Sequence, residues 1–178
     1  ARRLGYVQLE HAMPWSWLGT TRLTASWHRS EEGRVRRKEG SPLETREHDT
    51  VSTAGVSADL AGRLSRAVTW QGGVDVYHDV VRSRRRDTNL ASGAAADLRG
   101  LYPDGATRLS LSAYTRVDVS VARWHLEAGS RFTRDDVRAD DPVFGDTHIT
   151  PDAVVNSLAA RVDVASAAHL FGAVSHAL

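Results

Sequence analysis

From Leu109 to Val121 the chain alternates without a break. Leu109, Leu111, Ala113, Thr115, Val117, Val119 and Val121 are apolar or neutral, and Arg108, Ser110, Ser112, Tyr114, Arg116, Asp118 and Ser120 interleave with them. Successive side chains of a strand point to opposite faces, so this stretch reads as a strand with one apolar and one polar face. An alternation of about thirteen residues exceeds the five or six of an ordinary globular strand, and a tilted strand of that length crosses a bilayer. Any fold for this chain has to accommodate it.

The same period recurs along the chain and predicts about eight long strands. They fall at about Leu4–His11, Trp17–Arg29, Arg46–Leu60, Val68–Val80, Thr107–Val121, Trp124–Thr133, Val154–Val164 and from His169 to Leu178. Pro14 cannot donate to a ladder and is assigned to a turn. The connections alternate: short at about 12–16, 61–66, 122–123 and 165–168, long at about 30–45, 83–106 and 135–152. This predicts an all-β, antiparallel up-and-down meander with its long loops at one end, the asymmetry of a bacterial outer-membrane barrel with short periplasmic turns and long extracellular loops. Trp15, Trp17, Trp70 and Trp124 all fall beside short turns and are assigned to a periplasmic-side aromatic girdle. Trp17 and Trp27, ten residues apart on one predicted face, would lie about 25 Å apart along a tilted axis, the height of an apolar membrane band.

Composition points the same way. Aromatic residues are 7% of 178 and mean hydropathy is −0.37, so there is little to fill a thick interior. The alternative, a soluble β-sandwich binding domain, needs bulky inward residues, whereas the apolar faces here carry many Ala, Gly, Ser and Thr. A formal charge of +1 gives no global attraction to nucleic acid. The absence of cysteine excludes disulfides and thiolate metal sites. No apolar run approaches the eighteen or so residues of a membrane helix, and no signal peptide opens at Ala1.

The order of local motifs resembles the barrel of TonB-dependent outer-membrane receptors. Those motifs are Trp27 to Lys38, Glu47-His48-Asp49-Thr50-Val51, Gly73 to Asp79, Leu101 to Ala106, Leu126 to Phe132 and Ala167 to Ser175. The resemblance implies a place in the outer membrane of a Gram-negative bacterium and TonB-dependent uptake of a scarce nutrient, a ferric siderophore first, haem or cobalamin as alternatives. It implies lipid and lipopolysaccharide, a small-molecule chelate and the TonB complex as partners, with no cofactor and no enzymatic activity. Such receptors look like 22-stranded barrels with a plug domain and a TonB box, neither of which is in this sequence. The expectation is therefore a single barrel segment over residues 1–178, a fragment, with a complete small barrel as the alternative.

Two basic clusters, Arg34, Arg36, Arg37, Lys38 and Arg84, Arg85, Arg86, fall in predicted outer loops beside Tyr102. Guanidinium groups pair with carboxylate and catecholate oxygens, so these residues are the candidate ligand-binding set, with lipopolysaccharide phosphates or solvent as the competing contacts. Asp75, Arg116, Asp118, Glu127, Arg131 and Arg161 are assigned to the lumen, where a charge ladder is expected, together with Asp163. His28, His48 and His78 are the residues a haem receptor would use, but no histidine has metal-ligand spacing. The acidic stretch holding Asp135, Asp136, Asp140, Asp141 and Asp146 lacks an ordered calcium-loop spacing and is expected to be solvated. No nucleophile elbow or phosphate-cradling glycine loop is present.

Overall fold

The computed structural model describes all 178 residues. Ten strands form one antiparallel sheet: β1 (Arg2–Trp15), β2 (Leu18–Arg37), β3 (Leu43–Arg63), β4 (Val68–Asn89), β5 (Ala95–Arg99), β6 (Thr107–Val121), β7 (Trp124–Asp141), β8 (Gly145–Ile149), β9 (Asp152–Ala165) and β10 (Ala168–Ala177). Eight run side by side in the order β1-β2-β3-β4-β6-β7-β9-β10, while β5 pairs with the outer end of β4 and β8 with that of β7. The sheet is open, with β1 and β10 at its edges.

The eight long strands are the eight expected from alternation, and the meander is as predicted. Their outer ends differ. The predicted loop at 30–45 is mostly ladder, since β2 continues to Arg37 and β3 starts at Leu43. The predicted loop at 83–106 holds the end of β4 and all of β5, and that at 135–152 holds the end of β7 and all of β8. Nor is Pro14 in the turn: it lies inside β1, where the register shifts between Ala12 and Trp15, an edge-strand irregularity that tolerates a missing donor. Trp17 stands in the Ser16–Trp17 turn ahead of β2, so it is not on the strand face it was expected to share with Trp27.

The ladder sorts side chains into two continuous faces. One rung joins Val7, Ala25, Val56, Val76 and Leu111; the next joins Gln8, Thr24, Ser57, Asp75, Ser112 and Thr133. The apolar face is open to its surroundings: Val7 is 75% exposed, Val56 59% and Leu126 43%, and no hydrophobic residue is buried. What is buried is polar, chiefly Glu47, Asp49, Ser83, Ser112 and Asp141, with Thr50. A soluble fold assembled by the hydrophobic effect is built the other way round. A single sheet with an uncovered apolar face also rules out the sandwich.

The apolar band does not run parallel to the rungs. The rung carrying Val7, Ala25, Val56, Val76 and Leu111 continues to Arg134 on β7 and Asp152 on β9. On β7 the apolar residues Trp124, Leu126, Ala128 and Phe132 lie instead opposite Val121, Val119, Val117 and Ala113. The band therefore slants across the ladder, as strands inclined at about 35–45° to a membrane normal require.

Candidate functional site

The polar face is tied together by contacts that reach across intervening strands. Tyr114 Oη on β6 donates to Asp59 Oδ1 on β3 at 2.7 Å, passing over Gly73 of β4, where an added Cβ would stand 2.7 Å from both the Tyr114 ring and the Ala58 carbonyl. Arg131 on β7 reaches Asp75 on β4 at 3.1 Å and lies 6.0 Å from the Tyr114 ring centroid. Arg108 bridges Asp135 at 2.9 Å and Asp79 at 3.8 Å. Arg116 holds Asp118 at 2.8 Å and Glu127 at 2.9 Å. Arg161 and His125 meet on Asp163 at 3.3 and 3.1 Å. Asp75, Arg116, Asp118, Glu127, Arg131 and Arg161 thus all stand on this face, each in an ion pair.

At the outer end two hairpins meet over the short β6. Arg99 of β5 donates from Nε to Asp141 Oδ2 of β7 at 2.7 Å; the other carboxylate oxygen accepts the Val143 and Phe144 amides at 2.9 and 3.2 Å, and the Phe144 ring lies 5.6 Å from the Arg99 guanidinium. Arg99 and these two amides hold the Asp141 carboxyl below the usual range. Close by, the buried Ser83 donates from Oγ to Asp49 Oδ1 at 2.6 Å and accepts the Tyr102 amide at 3.1 Å, while its own amide donates to Asp104 Oδ1 at 3.0 Å. This knot fixes the Tyr102-Pro103-Asp104-Gly105 turn against β4 in the gap between its pairing with β5 and with β6. Gly105 completes the turn at φ +82°, a left-handed conformation that favours glycine.

The ladder divides the eight candidate ligand residues instead of gathering them. Arg34, Arg36 and Arg85 have the parity of the polar face and each holds a carboxylate: Glu32 at 2.7 Å, Glu47 at 2.5 Å and Asp87 at 2.7 Å. Arg37, Arg84 and Arg86 have the parity of the apolar face. Two clefts result. One, about 760 Å³, is lined by Arg36, Arg37, Lys38 and Arg85; the other, about 680 Å³, by Arg84, Arg85 and Arg86 with Glu47, Ser83 and Arg99. Arg34 and Tyr102 line neither, and Tyr102 acts in the turn through its backbone amide.

The three rim histidines do not converge, since His28 has polar-face parity while His48 and His78 have apolar-face parity. The carboxylates of the acidic stretch are engaged singly: Asp135 by Arg108, Asp136 by Arg138 and His148, Asp141 by Arg99. At the opposite end Trp15 and Trp17 stack with centroids 5.9 Å apart, Trp70 Nε1 donates to the Trp17 carbonyl at 2.7 Å, and Trp124 stands apart beside the β6–β7 turn.

Sequence reasoning missed Glu47, Asp49, Ser83, Arg99 and Asp141 as partners. No local pattern marks these five, but a usable signal was present for the strand extensions that carry them. Glu32/Arg34, Glu44/Arg46, Arg85/Asp87 and Arg138/Asp136 are opposite charges two residues apart, all bonded, and residues i and i+2 share a face only in an extended strand.

A model of the TonB-dependent receptor-like β-barrel family matches residues 2–178, and the chain belongs to that family. Its members are outer-membrane receptors and transporters of Gram-negative bacteria, not enzymes. Among solved structures, the chain is similar to the ferric citrate transporter FecA in its unliganded form, with a TM-score of 0.78 at 12% identity over 98% of this chain and 27% of that one. It is similar to the copper transporter OprC with a TM-score of 0.83 at 12% identity, over 98% of this chain and 29% of that one. At such identity the likeness is one of fold, and the chain spans less than a third of either protein. No curated protein matches the sequence.

Proposed function

We propose that this chain forms part of the wall of an outer-membrane receptor that takes up a scarce nutrient as a small anionic chelate, a ferric siderophore first among such ligands. One observation carries the reading: the sheet leaves its apolar face exposed and buries no hydrophobic residue, its few buried side chains being polar, which suits a wall between lipid and a polar lumen. On this reading Asp75, Arg116, Asp118, Glu127, Arg131 and Arg161 line the lumen, and Trp15, Trp17, Trp70 and Trp124 mark the periplasmic rim. The outer clefts offer Arg36, Arg37, Lys38 and Arg84–Arg86 to oxygen anions of a chelate. Energy would reach the ligand through a plug domain and TonB, outside the residues described.

Spin labels test the wall directly. Labels at Val76, Leu111, Val117 and Leu126 should be quenched by lipid-soluble reagents, and those at Asp75, Ser112, Arg116 and Glu127 by aqueous ones. The reverse pattern, or a chain that folds cooperatively in water without detergent, overturns the reading. For the ligand, Arg36→Gln and Arg85→Gln in the receptor carrying this chain should each weaken binding of a ferric chelate roughly 5-fold or more, and unchanged affinity removes the clefts from the ligand path.

A further inference from the structure

Glu47 on β3 is only 6% exposed, yet half of its carboxylate is unmatched. Oε1 accepts from Arg36 Nη2 on β2, whereas Oε2 is buried and has no hydrogen-bond partner. The neighbours of Glu47 across the ladder are both arginines, Arg34 on β2 and Arg85 on β4. Each holds instead the acid two residues away on its own strand: Arg34 donates from Nε to Glu32 at 2.7 Å, and Arg85 forks onto Asp87 at 2.9 and 2.7 Å. A buried charged acceptor without a donor carries its desolvation cost in full. Such a group in a folded chain calls for a specific role.

Glu47 lines the cleft of about 680 Å³ together with Arg46, Arg84, Arg85, Arg86 and Arg99. Ser83, Asp104 and Gly100 in the same lining are already engaged. Ser83 Oγ donates to Asp49 and accepts the Tyr102 amide, Asp104 Oδ1 accepts the Ser83 amide, and the Gly100 carbonyl accepts from Arg99 Nη1. Cations dominate this lining, so it attracts anions, but a ligand presenting oxygen anions alone would set negative charge against the open side of Glu47. A ligand that turns a hydroxyl or ammonium group toward Oε2 removes that conflict and supplies the missing donor. We infer that Glu47 selects, among anionic chelates, those that also carry a hydrogen-bond donor beside their chelating oxygens. The inference rests on the outer clefts being the ligand site. A site built around a buried acceptor rejects an analogue that lacks the donor, because the acceptor is then left unpaired.

The test uses the receptor carrying this chain, purified in detergent, and two probes: a ferric tris-catecholate with a hydroxyl beside one ring, and the same chelate as its O-methyl ether. Calorimetry measures both affinities. The wild type should bind the hydroxyl form about 10-fold or more tightly than the ether, and Glu47→Leu should bring that ratio to about 2-fold or less. The wild-type ratio stands even where the variant fails to fold. Equal affinity of the wild type for the two chelates overturns the inference while the ligand reading of the clefts stands. So does a preference that survives Glu47→Leu, which is what a purely structural role for Glu47 would leave. A wild type that binds neither chelate overturns both.

Discussion

The lower and outer halves of this sheet are made by the same strands and obey different rules. From Trp70 to Val80, β4 carries Trp70, Gly72, Val74, Val76 and Val80 on one face, broken only by His78, and Gln71, Gly73, Asp75, Tyr77 and Asp79 on the other; from Arg82 to Asn89 both faces are polar, with Arg82, Arg84 and Arg86 on one and Ser83, Arg85 and Asp87 on the other. The backbone ladder passes through the change without interruption, pairing β3 with β4 from Leu43–Asn89 to Arg63–Thr69. Strand pairing is therefore independent of the solvent outside, while side-chain identity records it. On the proposed reading, lipid contact ends where alternation stops.

The largest effect should come from putting one charge into each half. Val76→Arg in the middle of the band should destabilise the wall in lipid vesicles by about 2–4 kcal/mol, whereas Val35→Arg on the same face of the outer extension should cost about 0–1 kcal/mol. Denaturant unfolding of the two variants in vesicles measures the difference. Equal costs would mean that the two halves face the same medium.

A smaller effect separates the two faces within the band. Gly73 lies under the Tyr114 ring and against the Ala58 carbonyl, while Gly5 has nothing within 4 Å of an added Cβ. Gly73→Val should cost about 1–3 kcal/mol by overpacking and should displace Tyr114 from Asp59, while Gly5→Val should stay within about 0.5 kcal/mol. A Tyr114 phenol that keeps its protected environment in Gly73→Val would show that the polar face is looser than its contacts suggest.

How much of this was legible follows from the same division. Alternation marks a strand only where its two faces meet different media, so Leu109 to Val121 is legible from residues alone. The outer part of β2, with Glu31, Gly33, Val35 and Arg37 on one side and Glu32, Arg34 and Arg36 on the other, has no such contrast and read as a solvated loop. The candidate arginines were found as a composition and not as a place, because without the ladder Arg84 and Arg85 look equivalent, though they stand on opposite faces. Arg99 and Asp141, 42 residues apart, carried no local signal at all.

That pair gives the next prediction. The nearly buried Asp141 carboxylate gathers Arg99 and two amides, so Asp141→Asn should release the two outer hairpins from each other. Hydrogen exchange at Ala95–Arg99 and Gly145–Ile149 should rise roughly several-fold, with the rungs around Val76 unchanged. An effect that spreads to those rungs would erase the division between the halves.

The smallest expected effect is a response to acid, confined to the outer half. On the apolar face of β7 the apolar residues end at Phe132; beyond them Arg138 and then His148 draw the Asp136 carboxyl down to about 2, and Arg85 lowers that of Asp87. Arg34 does the same to Glu32. In each case the folded-state value lies below the unfolded one, so the contribution to stability is present above the unfolded carboxylate value of about 4 and is lost as pH falls through the folded one, which for Asp136 is about 2. Exchange at β8 amides, corrected for intrinsic rates, should therefore rise between about pH 4 and pH 2, and Asp136→Asn should flatten most of that rise. Because Asp136 is held by an arginine two residues away on its own strand and by a histidine on the hairpin arm, only the second contact couples its charge to the pairing of β7 with β8. His148→Gln should then flatten the profile nearly as much as Asp136→Asn, while Arg138→Gln leaves more of it in place.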